Sequence, residues 1–248
     1  MDGHDLTCWA ASSGAAAHVF VDDLADSVDL DGADGHHLAR VRRLRPGESV
    51  SASDGVGLWR CYSVVAAAGG HLTLEAFGGI CREPSLRPAV SMAVALTKGG
   101  IDEVVARLTE IGVARIEPFR ARRSVVRWDE ARAERAVERL RSVTREASMQ
   151  CRRARIPEVG TVVDLADLCR RSGLLVGDRG GVPPGEVPLP GNGGTWTVVV
   201  GPEGGLDAQE MEALGGALRV GVGPHVLRAE TAPVALAAAL VARATADG

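Results

Sequence analysis

Residues 90–113 read VSMAVALTKGGIDEVVARLTEIGV, and this stretch decides the fold of the second half of the chain. Its first eight residues form a continuous apolar run, which is typical of a strand buried on both faces of a sheet. The residues that follow carry apolar side chains at helical spacing, and ARIEPF at residues 114–119 predicts another short strand. The stretch therefore predicts a β-α-β unit, from which parallel sheets are built.

The same alternation continues to the C-terminus. A long helix over residues 128–152 is predicted by one apolar stripe, which consists of Ala133, Val137, Leu140, Thr144 and Ala147. Further strands are predicted at residues 173–177, 196–201 and 217–223, and further helices at residues 164–172, 207–216 and from about Ala232. This order predicts an α/β domain with a mostly parallel sheet that helices cover on both faces.

Residues 18–77 follow a different pattern, in which short alternating segments are broken by Gly and Asp. They predict a small β-barrel with one helical piece at residues 34–44. In that piece Leu38, Val41 and Leu44 are spaced to face a core, and the outward positions are Arg40, Arg42, Arg43 and Arg45. The predicted division is an extension at residues 1–16, a barrel at 17–79, a linker at 80–88 and the α/β domain at 89–248.

Charge is distributed unevenly along the chain. The sequence has 28 basic and 32 acidic residues, for a net charge of −4. Thirteen arginines against six acidic residues lie between Arg115 and Arg155, so that stretch carries +7 and the remainder −11. A basic belt on an acidic protein indicates a nucleic-acid partner better than the net charge does.

Several classes of protein are excluded by composition. The five cysteines form no CxxC pair and are odd in number, which predicts neither a disulfide framework nor a zinc site and fits a reducing cytoplasm. The N-terminus lacks the basic and apolar regions of a signal peptide. No apolar run is long enough to span a membrane, so no membrane partner is expected.

Lys98 is the single lysine beside 27 arginines, which makes it a candidate RNA-contacting residue.

Three glycine-bearing turns follow three predicted strands. They read LLVGDRGG at residues 174–181, VVVGPEGGLD at 198–207 and RVGVGPHVLRAET at 219–231. Ligands of open α/β sheets collect at the carboxyl ends of the strands, so the three turns are expected to line one pocket. Asp207 and Glu210 form an Asp-x-x-Glu pattern that predicts a capped helix after the second turn.

Two common nucleotide sites do not match these turns. The chain has no GxxxxGK[ST] motif, which excludes a P-loop. It also lacks GxGxxG, since GVGPHV at residues 221–226 misses the third glycine. Hydride transfer from a dinucleotide is therefore disfavoured.

Four stretches together resemble one family. In order they are LTKGGIDEVVARLTEIGV, FRARRSV, GPEGGLDAQEMEAL and VGPHVLRAETAPVALAAAL. From about His18 to the end, the chain is similar to the RsmE family of 16S rRNA (uracil-N3)-methyltransferases in the SPOUT superfamily. The pairing of GPEGG with a downstream LR-x-ET-A is the most distinctive part.

The resemblance implies a PUA-like β-barrel that helps to hold RNA, followed by a SPOUT domain whose chain end forms a trefoil knot. It also implies a homodimer, S-adenosylmethionine as cofactor, and a uridine of 16S rRNA in the 30S subunit as target; DNA is not an expected partner. The chain departs from the family at Met149, where Glu is common, and at Arg152, where Gly is common.

Site residues are carried over from the resemblance. The expected cofactor contacts are Val176, Gly177, Gly201, Pro202, Glu203, Gly204, Gly205, Val220, Gly221, Val222, Gly223, Val226, Leu227 and Arg228. Arg228 is expected to stabilise negative charge on the uracil, and Glu203 to act as a base or to orient water. The expected RNA contacts are Lys98, Arg122, Arg123, Arg152, Arg153 and Arg155.

Two alternatives remain open at this stage. One keeps the SPOUT fold and changes the target, to a 2′-O-ribose or to N1 of guanosine. The other is a non-catalytic RNA-binding or assembly factor that uses only the barrel and the arginine belt.

Overall fold

The computed structural model describes residues 14–36, 38, 42–97, 99–124 and 128–247. The chain forms two compact units, which are described separately. The first takes its residues from Met1–Pro84 and Ser148–Ile156, and the second from Ser85–Ala147 and Pro157–Gly248. Of the predicted extension at residues 1–16, residues 1–13 lie outside the described residues.

The first unit is built on a mostly antiparallel sheet. Among its described residues there are six strands and one short helix, α1. Their bounds are β1 Ala17–Phe20, β2 Ser27–Leu30, α1 Gly32–His36, β3 Ser49–Ser53, β4 Leu58–Ala68, β5 His71–Ala76 and β6 Cys81–Arg82. The strand order is β1-β3-β4-β5-β2, and β6 pairs with β4. The short alternating segments of residues 18–77 form strands β1 to β5, as predicted.

Two parts of the predicted division differ from the structure. Residues 81–82 of the predicted linker form β6, because they pair with Leu58 and Trp59 of β4. Residues 148–156 were assigned to the α/β domain, and they pack in the first unit instead. Arg155 explains this packing, since its guanidinium donates to the carbonyl oxygens of Val56 and Glu83.

Leu38 and Leu44 lie in the core of the first unit, as their spacing predicts, and Arg42, Arg43 and Arg45 are exposed. Val41 and Arg40 lie outside the described residues.

Cys61, Cys151 and Cys169 are free thiols, whereas Cys81 is disulfide-bonded. This bond was not predicted from the cysteine spacing.

The second unit is an α/β domain. Its described strands are β7 Ala89–Ala95, β8 Arg115–Arg120, β9 Glu158–Val159, β10 Val163–Asp164, β11 Leu174–Val182, β12 Thr195–Val200 and β13 Leu218–Val220. Its helices are α2 Ile101–Ile111, α3 Glu130–Cys151, whose last turn belongs to the first unit, α4 Leu165–Leu168, α5 Ala208–Ala213 and α6 Thr231–Asp247. Short 3₁₀ turns lie at Pro184–Glu186 and Gly191–Gly193.

The strands of this unit pair in parallel throughout, in the order β10-β8-β7-β12-β11-β13, and β9 pairs with β8. Side chains of β7 alternate between two cores: Val90, Met92 and Val94 pack with α2, α3 and α6, and Ala93 and Ala95 pack with α4 and the end of α5. The predicted parallel sheet with two covered faces is confirmed. In the ranges described, no helix combines the length and apolar character needed to cross a membrane.

The first unit also buries a histidine. The ring of His18 is 6% exposed, and its two nitrogens lie 2.8 Å and 3.0 Å from the hydroxyl oxygens of Ser51 and Ser53. Burial lowers the pKa of His18 to about 4 from an ordinary value of 6.5, because the charged form loses its hydration.

This pKa predicts a loss of stability in acid. His18 binds a proton near pH 6.5 in the unfolded chain and only near pH 4 in the folded chain. Neutral His18 therefore makes its full contribution to the unfolding free energy above pH 6.5, and this contribution is lost below about pH 4. The shift corresponds to about 3 kcal/mol of unfolding free energy. Urea unfolding between pH 7 and pH 4 measures it, and His18→Gln should flatten this dependence. The exposed His36 gives the control His36→Gln, and equal slopes in all three proteins would contradict the prediction.

Candidate active site

The three glycine-bearing turns meet in the second unit. Strands β12, β11 and β13 are neighbours and run parallel, so their carboxyl ends lie at one edge of the sheet. The turns that follow them line a single cavity of about 910 Å³. Its volume lies in the range of about 300–1,000 Å³ that is usual for small-molecule sites.

Nearly all of the expected cofactor contacts line this cavity. They are Val176, Gly177, Gly201, Pro202, Glu203, Gly205, Val220, Gly221, Val222, Gly223, Val226, Leu227 and Arg228. Gly204 is the exception, because its backbone lies against Arg123. An added Cβ at Gly204 would stand 3.4 Å from the Cβ of Arg123, and the Arg123 guanidinium donates to the Gly204 carbonyl oxygen at 2.9 Å.

One wall of the cavity was not predicted from the sequence. The strand before the first turn was predicted to end at Gly177, whereas β11 continues to Val182. Both Gly177 and Val182 pair with Val220 of β13, so residues 178–181 bulge out of the ladder between them. The bulge brings Asp178 and Arg179 into the cavity lining. The two consecutive glycines in DRGG were a usable signal for it.

Two glycines allow the backbone segments around the cavity to approach closely. A Cβ on Gly177 would stand 2.8 Å from the side chain of Leu236, and a Cβ on Gly221 would stand 2.7 Å from the carbonyl oxygen of Asp178. At Gly221 the obstacle is backbone, so packing requires glycine there. At Gly177 the obstacle is the end of the Leu236 side chain, which would have to shift to admit a Cβ.

Helix α5 begins directly after the second turn, with the predicted capping pattern. Asp207 accepts a hydrogen bond from the Glu210 N–H at 2.8 Å, and Glu210 accepts one from the Asp207 N–H at 2.8 Å. The bond from the Glu210 backbone, the nearby Arg122 and other donors lower the pKa of Asp207, although its desolvation opposes them. The predicted Asp-x-x-Glu cap is confirmed.

Glu210 also connects the turn to the end of β8. Its side chain is 5% exposed, and its other carboxylate oxygen accepts the backbone N–H of Arg122 at 2.7 Å. Together with the bond from Arg123 to Gly204, this contact holds residues 122–123 against the GPEGG turn. Two of the expected RNA contacts therefore lie beside the cavity.

Arg228 and Glu203 present opposite charges to the cavity. Both residues are exposed, and both belong to its lining. The Arg228 carbonyl accepts the N–H groups of Thr231 and Ala232 at the start of α6, which fixes its backbone. Among the residues that the structure describes, Arg228 forms no ion pair, so its guanidinium is available to a ligand.

The other expected RNA contacts lie elsewhere. Arg152, Arg153 and Arg155 are partly buried in the first unit, where Arg152 donates to the Ala15 carbonyl oxygen at 2.5 Å. The guanidinium of Arg155 is fixed by Val56 and Glu83, and an added Cβ on Gly57 would lie 2.4 Å from it. The structure gives Arg152 and Arg155 a packing role that the sequence did not suggest. Lys98 lies outside the described residues.

Comparison with known proteins assigns the chain to a family. A model described as RNA methyltransferase domain matches residues 84–241, and one described as RNA methyltransferase PUA domain matches residues 30–76. A ribosomal RNA small subunit methyltransferase E from Mycobacterium bovis is 38% identical over 231 residues, 86% of each chain. The chain belongs to the RsmE family. The family and the fold class expected from the four motifs are confirmed, and the trefoil knot stays a prediction.

Other RsmE proteins support the same assignment. The Bacillus subtilis protein is 28% identical over 225 residues, which are 85% of this chain and 88% of that protein. A crystal structure of the Neisseria gonorrhoeae protein bound to S-adenosyl methionine matches with a TM-score of 0.79 and 25% identity, over 90% of this chain and 96% of that one.

In this RsmE chain, Glu210 is predicted to hold the GPEGG turn in place. Glu210→Ala removes the acceptor for the amides of Arg122 and Asp207, so it should destabilise the second unit by about 2 kcal/mol. Amide hydrogen exchange should show faster exchange at these two positions, and urea unfolding should show the lower stability. The exposed Glu212 of the same helix gives the control Glu212→Ala, which should change neither. Unaltered exchange at both amides in Glu210→Ala would contradict this role.

Proposed function

We propose that this protein transfers the methyl group of S-adenosylmethionine to N3 of one uridine in 16S rRNA of the small ribosomal subunit. The observation that carries the proposal is the single cavity in which three glycine turns, the exposed guanidinium of Arg228 and the carboxylate of Glu203 come together. Membership of the RsmE family supports the cofactor and the class of substrate. The cytoplasm, where ribosomal subunits are assembled, is the corresponding site of action.

The cavity suits the proposed cofactor in size and chemistry. The apolar side chains of Val176, Val220 and Leu236 provide walls for an adenine ring, and the glycine turns bring backbone polar groups close to it. Asp178 offers a carboxylate for a hydroxyl or amino group, held in place by bonds from the Gly180 N–H at 2.8 Å and Arg219 at 3.3 Å. When bound, S-adenosylmethionine supplies an electrophilic methyl group on a sulfonium.

Methylation at N3 requires that the uracil imide lose its proton. Arg228 would donate hydrogen bonds to a uracil carbonyl oxygen and stabilise the negative charge that spreads onto it as the proton leaves. This stabilisation matters because a carboxylate is a weaker base than an imide anion. Glu203 would accept the proton from N3, either directly or through one water molecule.

RNA would contact this unit beside the GPEGG turn. Arg122 is 62% exposed at its side chain, and its backbone is held by Glu210. Arg123 is held by Gly204. Arg152 and Arg155 are proposed to act on RNA less directly, since their bonds fix the segment that packs in the first unit, and Arg153 lies in the same segment. The proposal includes a homodimer. Its interface would cover exposed apolar side chains such as that of Val226, which lines the cavity and is 79% exposed.

Methyl transfer to RNA is the direct test. Purified protein with methyl-labelled S-adenosylmethionine should label 30S particles or 16S rRNA, and nuclease digestion with mass analysis should identify N3-methyluridine. Arg228→Ala should reduce the rate at least a hundredfold, since one preorganised charge-stabilising donor contributes about that much. Circular dichroism should show that this variant is folded, and calorimetry that its affinity for the cofactor falls far less than the rate.

Other outcomes would reject the proposal in different ways. A label on ribose or on N1 of guanosine would leave a SPOUT methyltransferase with another target. Absence of cofactor binding in calorimetry would favour a non-catalytic RNA-binding assembly factor. Arg179→Ala, at another position of the cavity lining, tests whether any loss of charge there has the same effect.

RNA binding by the arginine belt should depend on salt. Each phosphate contact releases counterions, so affinity for 16S rRNA fragments should fall about tenfold or more between 50 mM and 200 mM salt. Arg122→Ala should reduce the slope of log affinity against log salt by somewhat less than one. Equal affinity at both salt concentrations would contradict contact with phosphates.

A further inference from the structure

The second unit has another cavity, of about 580 Å³, at the same edge of the sheet. It lies where β8 and β10 end, and its lining includes Arg120, Arg122, Trp128, Asp164, Gln209 and Ala213. Because all strands of the sheet are parallel, this cavity and the proposed cofactor cavity are both at the carboxyl ends of strands.

Helix α5 separates the two cavities. Met211 faces the cofactor cavity, whereas Gln209 and Ala213 face the second one. An α-helix is about 10 Å across with its side chains, so a ligand in one cavity lies close to a ligand in the other. A strand of RNA with one base in the first cavity would need only a few nucleotides to reach the second.

The charges in the second cavity cancel. Arg120 lies 3.6 Å from Asp164, and Arg122 lies 3.7 Å from Asp207. The carboxylate of Glu210 accepts two backbone N–H groups and is 5% exposed, so it offers little to a ligand. Inside the cavity a phosphate would gain little, because Arg120 has Asp164 beside it and the lining carries as many carboxylates as guanidinium groups. The Arg122 side chain is 62% exposed, so it stays available to a phosphate outside the cavity.

A planar and neutral ligand fits these walls better. Trp128, Leu165 and Ala121 give the cavity an apolar side. Arg120 and Asp164 offer a donor and an acceptor at its rim, whereas the side-chain oxygen of Gln209 already accepts a hydrogen bond from Arg122. Arg120 and Asp164 are only partly shielded, with 41% and 69% of their side chains exposed, so both can turn towards a ligand. Nucleobases combine a flat apolar face with a polar edge of donors and acceptors.

We propose that the second cavity binds an unpaired nucleobase of the substrate RNA near the target uridine, and that it selects a base with an exocyclic amino group. Asp164 accepts a hydrogen bond from the amino group, and Arg120 donates to a neighbouring ring nitrogen or carbonyl oxygen. Uracil is disfavoured because its one donor, N3–H, lies between two carbonyl oxygens, so that when N3–H meets one carboxylate oxygen of Asp164 a carbonyl oxygen is turned towards the other. The inference rests on the proposed RNA substrate.

Binding of short RNAs to the full-length protein tests this selection. Fluorescence anisotropy would compare labelled decamers in which one uridine is flanked by guanosine, adenosine or cytidine with decamers whose flanks are uridine or abasic. The parent protein should bind the first group about tenfold more tightly than the others, as one base-edge contact predicts. Equal affinity across the set, or no binding of any decamer, would overturn the proposal.

Two variants locate the effect in this cavity. Asp164→Asn should bring the ratio of affinities close to one, because an amide no longer prefers an amino group. Ala213→Trp should fill the cavity and weaken binding of amino-flanked decamers about tenfold, with cofactor affinity in calorimetry unchanged. The matched control is Asp167→Asn, an exposed carboxylate of α4 outside the lining, which should keep the parent ratio. An unchanged ratio in Asp164→Asn would overturn the assignment.

Methyl transfer separates this proposal from the proposed function. If the decamers show the expected selection and no RNA is methylated, the proposed reaction fails and the nucleobase site stands. If decamers with abasic flanks are bound and methylated as well as those with guanosine flanks, the reaction stands and the nucleobase site fails.

Discussion

The parallel pairing of β11 with both β12 and β13 is the constraint on which the rest of the site depends. It brings the carboxyl ends of three strands to one edge, so that turns far apart in the sequence form one wall. The close approach at Gly177 and Gly221 then sets the shape of the cavity. If one of these strands were antiparallel, the turn after it would lie at the opposite edge of the sheet. The site therefore requires all three strands to run in the same direction.

Much of the fold could be predicted because apolar periodicity records burial. The run at β7 and the stripe from Ala133 to Ala147 on α3 are both buried as expected. The convergence of the three glycine turns on one cavity was predicted as well, since turns after parallel strands lie at the ligand-binding edge of an α/β sheet. Identification of the cofactor and of the family required motif resemblance, because spacing alone left several enzyme classes open.

The errors have physical causes that sequence patterns do not contain. Strands of two residues, such as β9 and β10, are too short to show alternation. The bulge at residues 178–181 depends on how β11 pairs with its neighbour, which a single segment cannot reveal. The arginines of residues 152–155 look like a basic surface in the sequence, yet Arg152 and Arg155 bond to backbone carbonyl oxygens of distant residues.

Arg152 is a case in which the departure from the family has a structural meaning. The RsmE family commonly has glycine at this position, and Arg152 has a φ of 60°. A side chain costs about 1 kcal/mol or more in this left-handed conformation. The bond from its guanidinium to Ala15 offsets part of that cost here.

The excursion of residues 148–156 into the first unit means that the chain visits this unit twice. The first unit is therefore built from two segments that are not continuous in the sequence. A fragment that ends at Pro84 would lack the antiparallel β-bridge between Val56 and Arg155. It would also lack the two backbone N–H groups that donate to the Glu83 carboxylate. During synthesis, the first unit can be completed only after more than half of the chain has left the ribosome.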